Sequence, residues 1–297
     1  MPRRVRRISL ALVAVLCLFL PPAYVLWAKQ RAVTAEPVQI FAEYVKATYS
    51  RDFHRAYRFL SDQDRQVKPV DAYARERGSF SGFTLEVARK LSEFVEFHPI
   101  ELQRESHRAR IKLKLRFPDA NSVSELLLDW SEDRLNSLSA AEKRQILATL
   151  QSLGRHKQMT LMEGEEEAVL VKEAKAWRVL LDWASGVRIN FDSIVPDQGI
   201  IEAIPVAKDT LIQRKEPFTI AYRVSNRTKK SIFARVVHRI EPSTLARYLN
   251  MFECSLLVPV ELWPGEQNEF TATYLVDGDL PEDIKSLRVT YEFKIES

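Results

Sequence analysis

The sequence predicts a multidomain protein with an N-terminal transmembrane helix, an α+β domain and a C-terminal immunoglobulin-like β-sandwich. Three observations support this prediction. A long apolar run follows a cluster of arginines, the next part of the chain changes from a helical to a strand-like pattern, and the last third consists of short alternating segments between turn residues. The length of 297 residues also agrees with about two domains of roughly 150 residues each.

Residues 1–30 predict an arginine-rich cytoplasmic tip and a membrane anchor. The segment 8–27 carries no charge, and at about 1.5 Å per residue it just spans a hydrocarbon core of about 30 Å. Four arginines precede it, against Lys29 and Arg31 after it, so the N-terminus is expected in the cytoplasm. The alternative is a cleaved signal peptide with a small-residue site at 33–35. We expect a single-pass protein of the inner (plasma) membrane with the bulk of its chain in the periplasm.

The overall charge argues against a nucleic-acid partner. The formal net charge is +4, but the four N-terminal arginines account for all of it, and the rest of the chain has equal numbers of basic and acidic residues. A nucleic-acid surface needs a basic patch on the folded domain. The basic excess therefore belongs to the membrane topology, and no nucleic acid is expected among the partners.

Residues 36–192 are predicted to form the α+β domain. The segment 36–64 has apolar residues at helical spacing, whereas 110–117 alternates strictly between apolar and cationic residues, as a half-buried strand does. The segment 94–102 is its expected partner. Further strands are expected near 158–162, 168–172 and 177–183. This order of helices followed by strands resembles the NTF2-like superfamily over residues 36–190, which implies a cone-shaped domain.

A helical insertion is expected within this domain, at 122–153. Two capping-box signatures mark its segments, namely Ser122 with Glu125 and Ser139 with Glu142. The acidic residues at 163 and 165–167 lie beside a predicted turn and are expected to form a solvated loop.

Residues 200–297 predict the β-sandwich, after a linker rich in Pro and Gly at 195–209. About 95 residues of short alternating segments are typical of an immunoglobulin-like sandwich. The strands are expected at 218–224, 232–240, 254–260, 269–276 and 287–295.

No pattern of catalytic residues is present in the sequence. It contains no phosphate-binding glycine loop, no His-Glu-x-x-His, no Cys-x-x-Cys and no dinucleotide fingerprint. The five histidines are scattered, and surface or interface positions suit them better than metal ligation. We therefore predict no catalytic residue and no enzyme activity. Cys17 lies in the apolar span and Cys254 far outside it, so Cys254 is expected to be an unpaired thiol.

The segment 248–266 resembles the C-terminal signature of the CtaG family of cytochrome c oxidase assembly proteins. That family has an aromatic lead-in, a Cys-Phe-Cys-Phe copper motif and a Pro-Gly-Glu turn at a fixed distance. Cys254 falls on the first cysteine, and Pro264-Gly265-Glu266 falls on the turn without a gap. Asn226-Arg227-Thr228 stands where the family has an Asn-x-Thr turn, and 289–293 resembles its final strand. The resemblance covers about residues 205–297.

The resemblance implies a copper site, and the sequence departs from it at one ligand. The second cysteine is replaced by Leu256, and the phenylalanine between the two cysteines by Ser255. Cu(I) favours thiolate and thioether ligands, so Met251 could assist Cys254 as a ligand, or two copies of the chain could share an ion in a homodimer. The remaining alternative is that Cys254 packs in the sandwich and metal binding has been lost.

Three functions follow from these observations. The first is a membrane-anchored assembly factor that handles Cu(I) for a haem–copper oxidase subunit, with Cys254 and Met251 as ligands. The second is a metal-free scaffold or chaperone for a membrane complex, which predicts an exposed apolar patch on the sandwich. The third is a small-molecule pocket or enzyme inside the NTF2-like cone, which predicts a mostly apolar cavity in 36–190 with at least one inward-facing carboxylate or histidine.

Overall fold

The computed structural model describes residues 36–119, 131–156, 159–174, 176–197 and 199–296. The predicted anchor at 8–27 and the capping signature at Ser122 lie outside the described residues. Within the described ranges, no helix is both long and apolar enough to cross a membrane.

Helices form most of the first part of the described chain. They are α1 (36–49), α2 (Phe53–Ala56), α3 (Asp62–Val67), α4 (Val70–Arg77), α5 (Gly82–Ser92), α6 (Glu132–Ser137) and α7 (Ala140–Arg155). α7 begins with the predicted capping box, in which the Ser139 hydroxyl accepts from the Glu142 amide and the Glu142 carboxylate accepts from the Ser139 amide. The capping box is thus confirmed, and α5, α6 and α7 share a small apolar cluster of their own.

An antiparallel sheet packs against these helices in the order β1-β2-β3-β4. Its strands are β1 (Glu96–Arg104), β2 (Arg108–Pro118), β3 (Leu161–Glu173) and β4 (Ala176–Leu180). The apolar face of β2, which includes the fully buried Ile111 and Leu113, packs in one core with Phe41 and Tyr44 of α1. The half-buried strand predicted at 110–117 and its partner are confirmed.

The acidic segment at 163–167 corrects one prediction, since it lies in a strand and forms no loop. β3 is one continuous strand where two were predicted, and its acidic residues face the cations of β2. Lys112 Nζ lies 2.6 Å from Glu165, and Lys114 Nζ lies 2.8 Å from Glu163. Opposite charges on neighbouring strands stabilise such a pairing, which a single segment of sequence does not reveal.

The remaining strands form two further sheets. They are β5 (Val187–Ile194), β6 (Ile201–Pro205), β7 (Asp209–Ile212), β8 (Pro217–Asn226), β9 (Ile232–Glu241), β10 (Leu249–Cys254), β11 (Val260–Leu262), β12 (Gln267–Val276) and β13 (Ser286–Glu296). One sheet has the order β10-β12-β8-β6 and the other has the order β11-β9-β13-β5-β7. The protein is therefore rich in β-structure. The inner faces of these two sheets share one core, so this part is compatible with a β-sandwich.

Several strand bounds differ from the predicted ones. Most of β5 lies within the range that the sequence assigns to the α+β domain, yet it pairs with β13 in parallel. The expected linker at 195–209 contains β6. The strand predicted at 254–260 is wrong, because β10 ends at Cys254 and a turn precedes β11. Apolar residues in that turn imitate a strand pattern, although only Leu256 among residues 255–259 is buried.

Candidate functional site

Cys254 occupies the end of an edge strand. β10 lies at the margin of its sheet and pairs only with β12 among the described strands, with Cys254 opposite Ala272 and Met251 opposite Tyr274. The register shifts between Met251 and Glu253, which leaves Phe252 as an extra residue. Residues three apart on a regular strand face opposite sides, but one bulged residue restores a common side. Met251 and Cys254 therefore lie on the same side of β10, where Cys254 packs against the core and Met251 stays exposed.

The Cys254 thiol contacts a histidine from the opposite sheet. Its Sγ lies 3.4 Å from Nε2 of His238, a residue of β9. The other ring nitrogen, Nδ1, is hydrogen-bonded to the Tyr274 hydroxyl, and that hydroxyl lies 3.1 Å from the hydroxyl of Tyr291. The Tyr291 ring also packs edge-on against the imidazole, with 4.4 Å between the ring centroids. These contacts fix the orientation of His238 and direct Nε2 toward the thiol.

Burial keeps this group of side chains uncharged. It raises the pKa of the Cys254 thiol above its ordinary value, and hydrogen bonds from the Leu256 amide and the Tyr291 hydroxyl offset only part of this effect. Burial also lowers the pKa of His238 and raises the pKa of Tyr274. The resting pair is thus a neutral thiol beside a neutral imidazole, and a thiolate–imidazolium nucleophile is not favoured.

The two donors suit a soft cation. A thiolate and a neutral imidazole both bind Cu(I) or Zn(II), and the thiol is only partly buried, so an ion can reach it. Met251 lies on the same side of the strand and is also partly exposed. Among the described residues, no group of three or more His, Cys, Asp or Glu residues could hold a metal ion. A site here would have few ligands, as Cu(I) tolerates.

Leu256 occupies the position of the missing second cysteine and is almost fully buried, with 1% of its surface exposed. Its carbonyl accepts a hydrogen bond of 3.0 Å from the amide of Val236 on β9. The side chain contributes to the sandwich core and to no surface site. A leucine at this position is thus accommodated by core packing.

Four exposed apolar side chains lie in the segment from the end of β10 to the turn after β11, which contains Cys254. Phe252 is 67% exposed, Val258 65% and Trp263 60%, and Leu257 lies between them in the turn after β10. Exposed apolar side chains that recur along one surface segment are candidates for an interaction surface. We call Phe252, Leu257, Val258 and Trp263 the apolar rim.

His238 is the site residue that sequence reasoning missed. Its strand alternates clearly, but nothing in a strand pattern reveals that the other sheet brings a cysteine to its side chain. The remaining histidines contribute nothing to this cluster.

A separate open cleft of about 620 Å³ lies between α1, β3, β4 and the turn at 213–217. Glu166 lines it and faces the same side of the sheet as the buried Leu113, its cross-strand partner. Burial raises the pKa of the Glu166 carboxyl. The cleft therefore has a carboxylate in its lining, but Glu166 is exposed and the lining is charged, so the cleft is less apolar than the pocket hypothesis expects.

Comparison with known proteins matches residues 155–294 to the family "Cytochrome c oxidase assembly protein CtaG/Cox11". The resemblance to the CtaG family is confirmed over this part of the chain. The CtaG protein of Sinorhizobium fredii is 26% identical over 39% of this chain and 59% of its own length. The CtaG protein of Rhizobium meliloti is 25% identical over 36% of this chain and 57% of its own length. The chain thus spans less than two thirds of these CtaG relatives.

Among solved structures, trypsin-activated alpha-2-macroglobulin from Escherichia coli is similar over 68% of this chain and 18% of its own. The sequence identity is 10% and the TM-score is 0.23, which is too low to support any conclusion about the fold.

Proposed function

We propose that this protein is a membrane-anchored assembly factor that handles Cu(I) for the biogenesis of a haem–copper oxidase. The observation that carries the proposal is the partly buried Cys254 thiol, 3.4 Å from a second metal-binding atom, at the position of a CtaG-like copper motif. The similarity of residues 155–294 to cytochrome c oxidase assembly proteins supports the same function. Copper is the cargo here, and the protein acts without catalysing a reaction.

In this proposal Cys254 binds the copper ion and the apolar rim contacts the client protein. Cys254 loses its proton to the solvent when Cu(I) binds, because the thiolate is the ligand form. The apolar rim contacts the client subunit and places the ion close to its acceptor. A single-pass anchor in the inner membrane, with the sandwich in the periplasm, would keep this surface beside membrane-embedded clients.

The test is a Cu(I) competition titration of the full-length protein in detergent, under anaerobic reducing conditions. Cys17→Ser is the background, so that Cys254 is the remaining thiol. We expect one tightly held ion per chain and a loss of at least about tenfold in affinity on Cys254→Ser, since a charged thiolate is replaced by a weak neutral donor. Ser255→Ala is the matched control and should bind as the parent does. Equal binding by the parent and Cys254→Ser would refute copper handling.

A second candidate function is a metal-free scaffold or chaperone for a membrane complex. The exposed apolar rim favours it independently of copper, as does the replacement of the second cysteine by the buried Leu256. It is tested by oxidase assembly in cells that carry Cys254→Ser or Trp263→Asp. A scaffold tolerates the first change and fails with the second, whereas a copper carrier fails with both.

A further inference from the structure

We infer that His238 is the second protein ligand of the Cu(I) site, so that one chain holds the ion between Cys254 Sγ and His238 Nε2. The inference rests on the proposed function and assigns to this chain a ligand that lies outside its copper-motif segment. It replaces both a shared site between two copies and a site that depends on Met251.

Distance is the first support. Sγ and Nε2 lie 3.4 Å apart. Metal–sulfur bonds of about 2.3 Å and metal–nitrogen bonds of about 2.0 Å are together longer than this separation, so one ion can bridge both atoms where they stand. A slight separation of the two atoms opens the angle toward the linear geometry of two-coordinate Cu(I).

The orientation of the imidazole is the second support. A ligating histidine is normally held by a hydrogen bond from its other ring nitrogen. Nδ1 of His238 has such a partner in the Tyr274 hydroxyl, which Tyr291 in turn holds at 3.1 Å. With the proton on Nδ1, that N–H donates to the Tyr274 oxygen, and the lone pair of Nε2 points to the thiol. Two tyrosine side chains therefore position one nitrogen atom, which an incidental surface contact would not require.

The topology explains why the second ligand comes from another strand. At position 256 the chain has turned into the core, where Leu256 is buried and Val236 bonds its carbonyl. β9 belongs to the other sheet, and the contact between His238 and Cys254 joins it to the end of β10. The site thus spans the two sheets.

Binding is balanced without a redox step. The Cys254 S–H bond breaks, its proton leaves to buffer, and one S–Cu bond and one N–Cu bond form. The ion keeps its oxidation state. The complex of one cation, one thiolate and one neutral imidazole carries no net charge, which suits a half-buried position.

The experiment measures Cu(I) affinity by chelator competition, and the ligand set by X-ray absorption, on the full-length Cys17→Ser protein. We expect one ion per chain with one sulfur and one nitrogen neighbour. His238→Ala should weaken binding by at least about tenfold. His238→Cys should keep tight binding with two sulfur neighbours, and this result guards against a folding defect. His98→Ala, on an exposed strand residue, should bind as the parent does.

Other outcomes separate the two proposals. If His238→Ala binds as tightly as the parent while Cys254→Ser does not, the proposed function stands and the histidine ligand is refuted. Half an ion per chain with only sulfur neighbours would refute it in favour of a dimer. A loss of binding on Met251→Ala alone would refute it in favour of the thioether. No effect of Cys254→Ser would refute the proposed function itself.

Discussion

Asn226 joins two sequence motifs that lie far apart in the chain. Its amide nitrogen donates to the carbonyls of Lys230, Leu262 and Trp263, at distances of 2.8 to 3.1 Å. Its backbone N–H donates to the Glu266 carbonyl at 2.9 Å, and its side-chain oxygen accepts from Thr228. The Asn-x-Thr turn is thus bonded directly to the Pro-Gly-Glu turn. Because its side chain is buried, this asparagine is structural and its amide is unavailable for glycosylation.

The first prediction at this scale concerns Asn226→Ala. The change removes the side-chain amide from three carbonyls, of which those of Lys230 and Trp263 keep a second donor, so the free energy of unfolding should fall by about 1–3 kcal/mol. Chemical denaturation with circular dichroism measures this. Asn268→Ala, on an exposed residue of β12, is the control and should change stability by less than about 0.5 kcal/mol. Equal stability of the two variants would mean that water replaces the lost donor.

The conformation of the Pro264-Gly265 turn also depends on the residues at these two positions. The Glu266 amide donates to the Trp263 carbonyl at 2.9 Å, and Gly265 has a φ of +71°. This conformation favours glycine, and proline precedes it as in a type II turn. Trp263 is the first residue of this turn and is exposed, so the backbone conformation that Gly265 allows also fixes the position of the last residue of the apolar rim.

At the scale of single elements, α7 begins at the capping box that the sequence predicts. Ser139 and Glu142 form the complete capping box, and both residues are exposed. The sequence predicts it because every partner lies within four residues.

We predict that Ser139→Ala lowers the free energy of unfolding by about 1 kcal/mol, because the first turn of α7 loses its cap. Ser152→Ala, later in the same helix, is the control and should not destabilise.

Hydrogen bonds from Ser139 lower the pKa of Glu142 from its ordinary value of 4.5. The carboxylate therefore stabilises the folded state fully above pH 4.5, and this contribution disappears as the pH falls through the lowered pKa. Thermal unfolding of Glu142→Gln and the parent should converge at acid pH, and a constant difference would contradict this prediction.

β3, in contrast, is an element whose type its own sequence does not predict. Its run of glutamates has no strand signal of its own, because high charge and few apolar residues suggest a loop. The pairing with cationic β2 makes it a strand, and that pairing joins residues about fifty positions apart. Element type could therefore be predicted where partners are local, and could not where a distant strand supplies the partner.

For the whole molecule, one carboxylate links the two larger cores. Glu216, in the turn before β8, accepts from the indole nitrogen of Trp183 at 3.0 Å and from Arg77 at 3.4 Å. The Arg77–Glu216 pair is largely buried, with 19% and 12% of the side chains exposed. Trp183 belongs to the core of the helix-containing part, while β8 belongs to the sandwich. The two cores should therefore unfold together.

We predict that Glu216→Gln destabilises the protein by on the order of 3 kcal/mol, since Arg77 is left as a buried charge without its partner. Differential scanning calorimetry should show one transition in the parent and two in the variant, because the link between the cores is weakened. Glu282→Gln, on an exposed residue, is the control. One unshifted transition in both variants would show that the cores are joined by other contacts.

The candidate site lies between these extremes of predictability. Cys254 and Met251 can be chosen from the sequence, because a motif-like segment surrounds them. Their common side of β10 depends on the bulge at Phe252, which no residue pattern announces. The role of His238 cannot be predicted from the sequence, because its contact with Cys254 forms only when the two sheets face each other.

By itself, the sequence determined the change from helices to strands, the cap of α7, the turn at 264–266 and the single thiol of the C-terminal part. All of these depend on neighbours within a few residues, where spacing and backbone preference act directly. The tertiary structure alone decided that β3 is continuous, that β5 joins the sandwich and that His238 meets Cys254. These features depend on contacts between distant segments, and such contacts form only when the apolar faces of both segments are buried together.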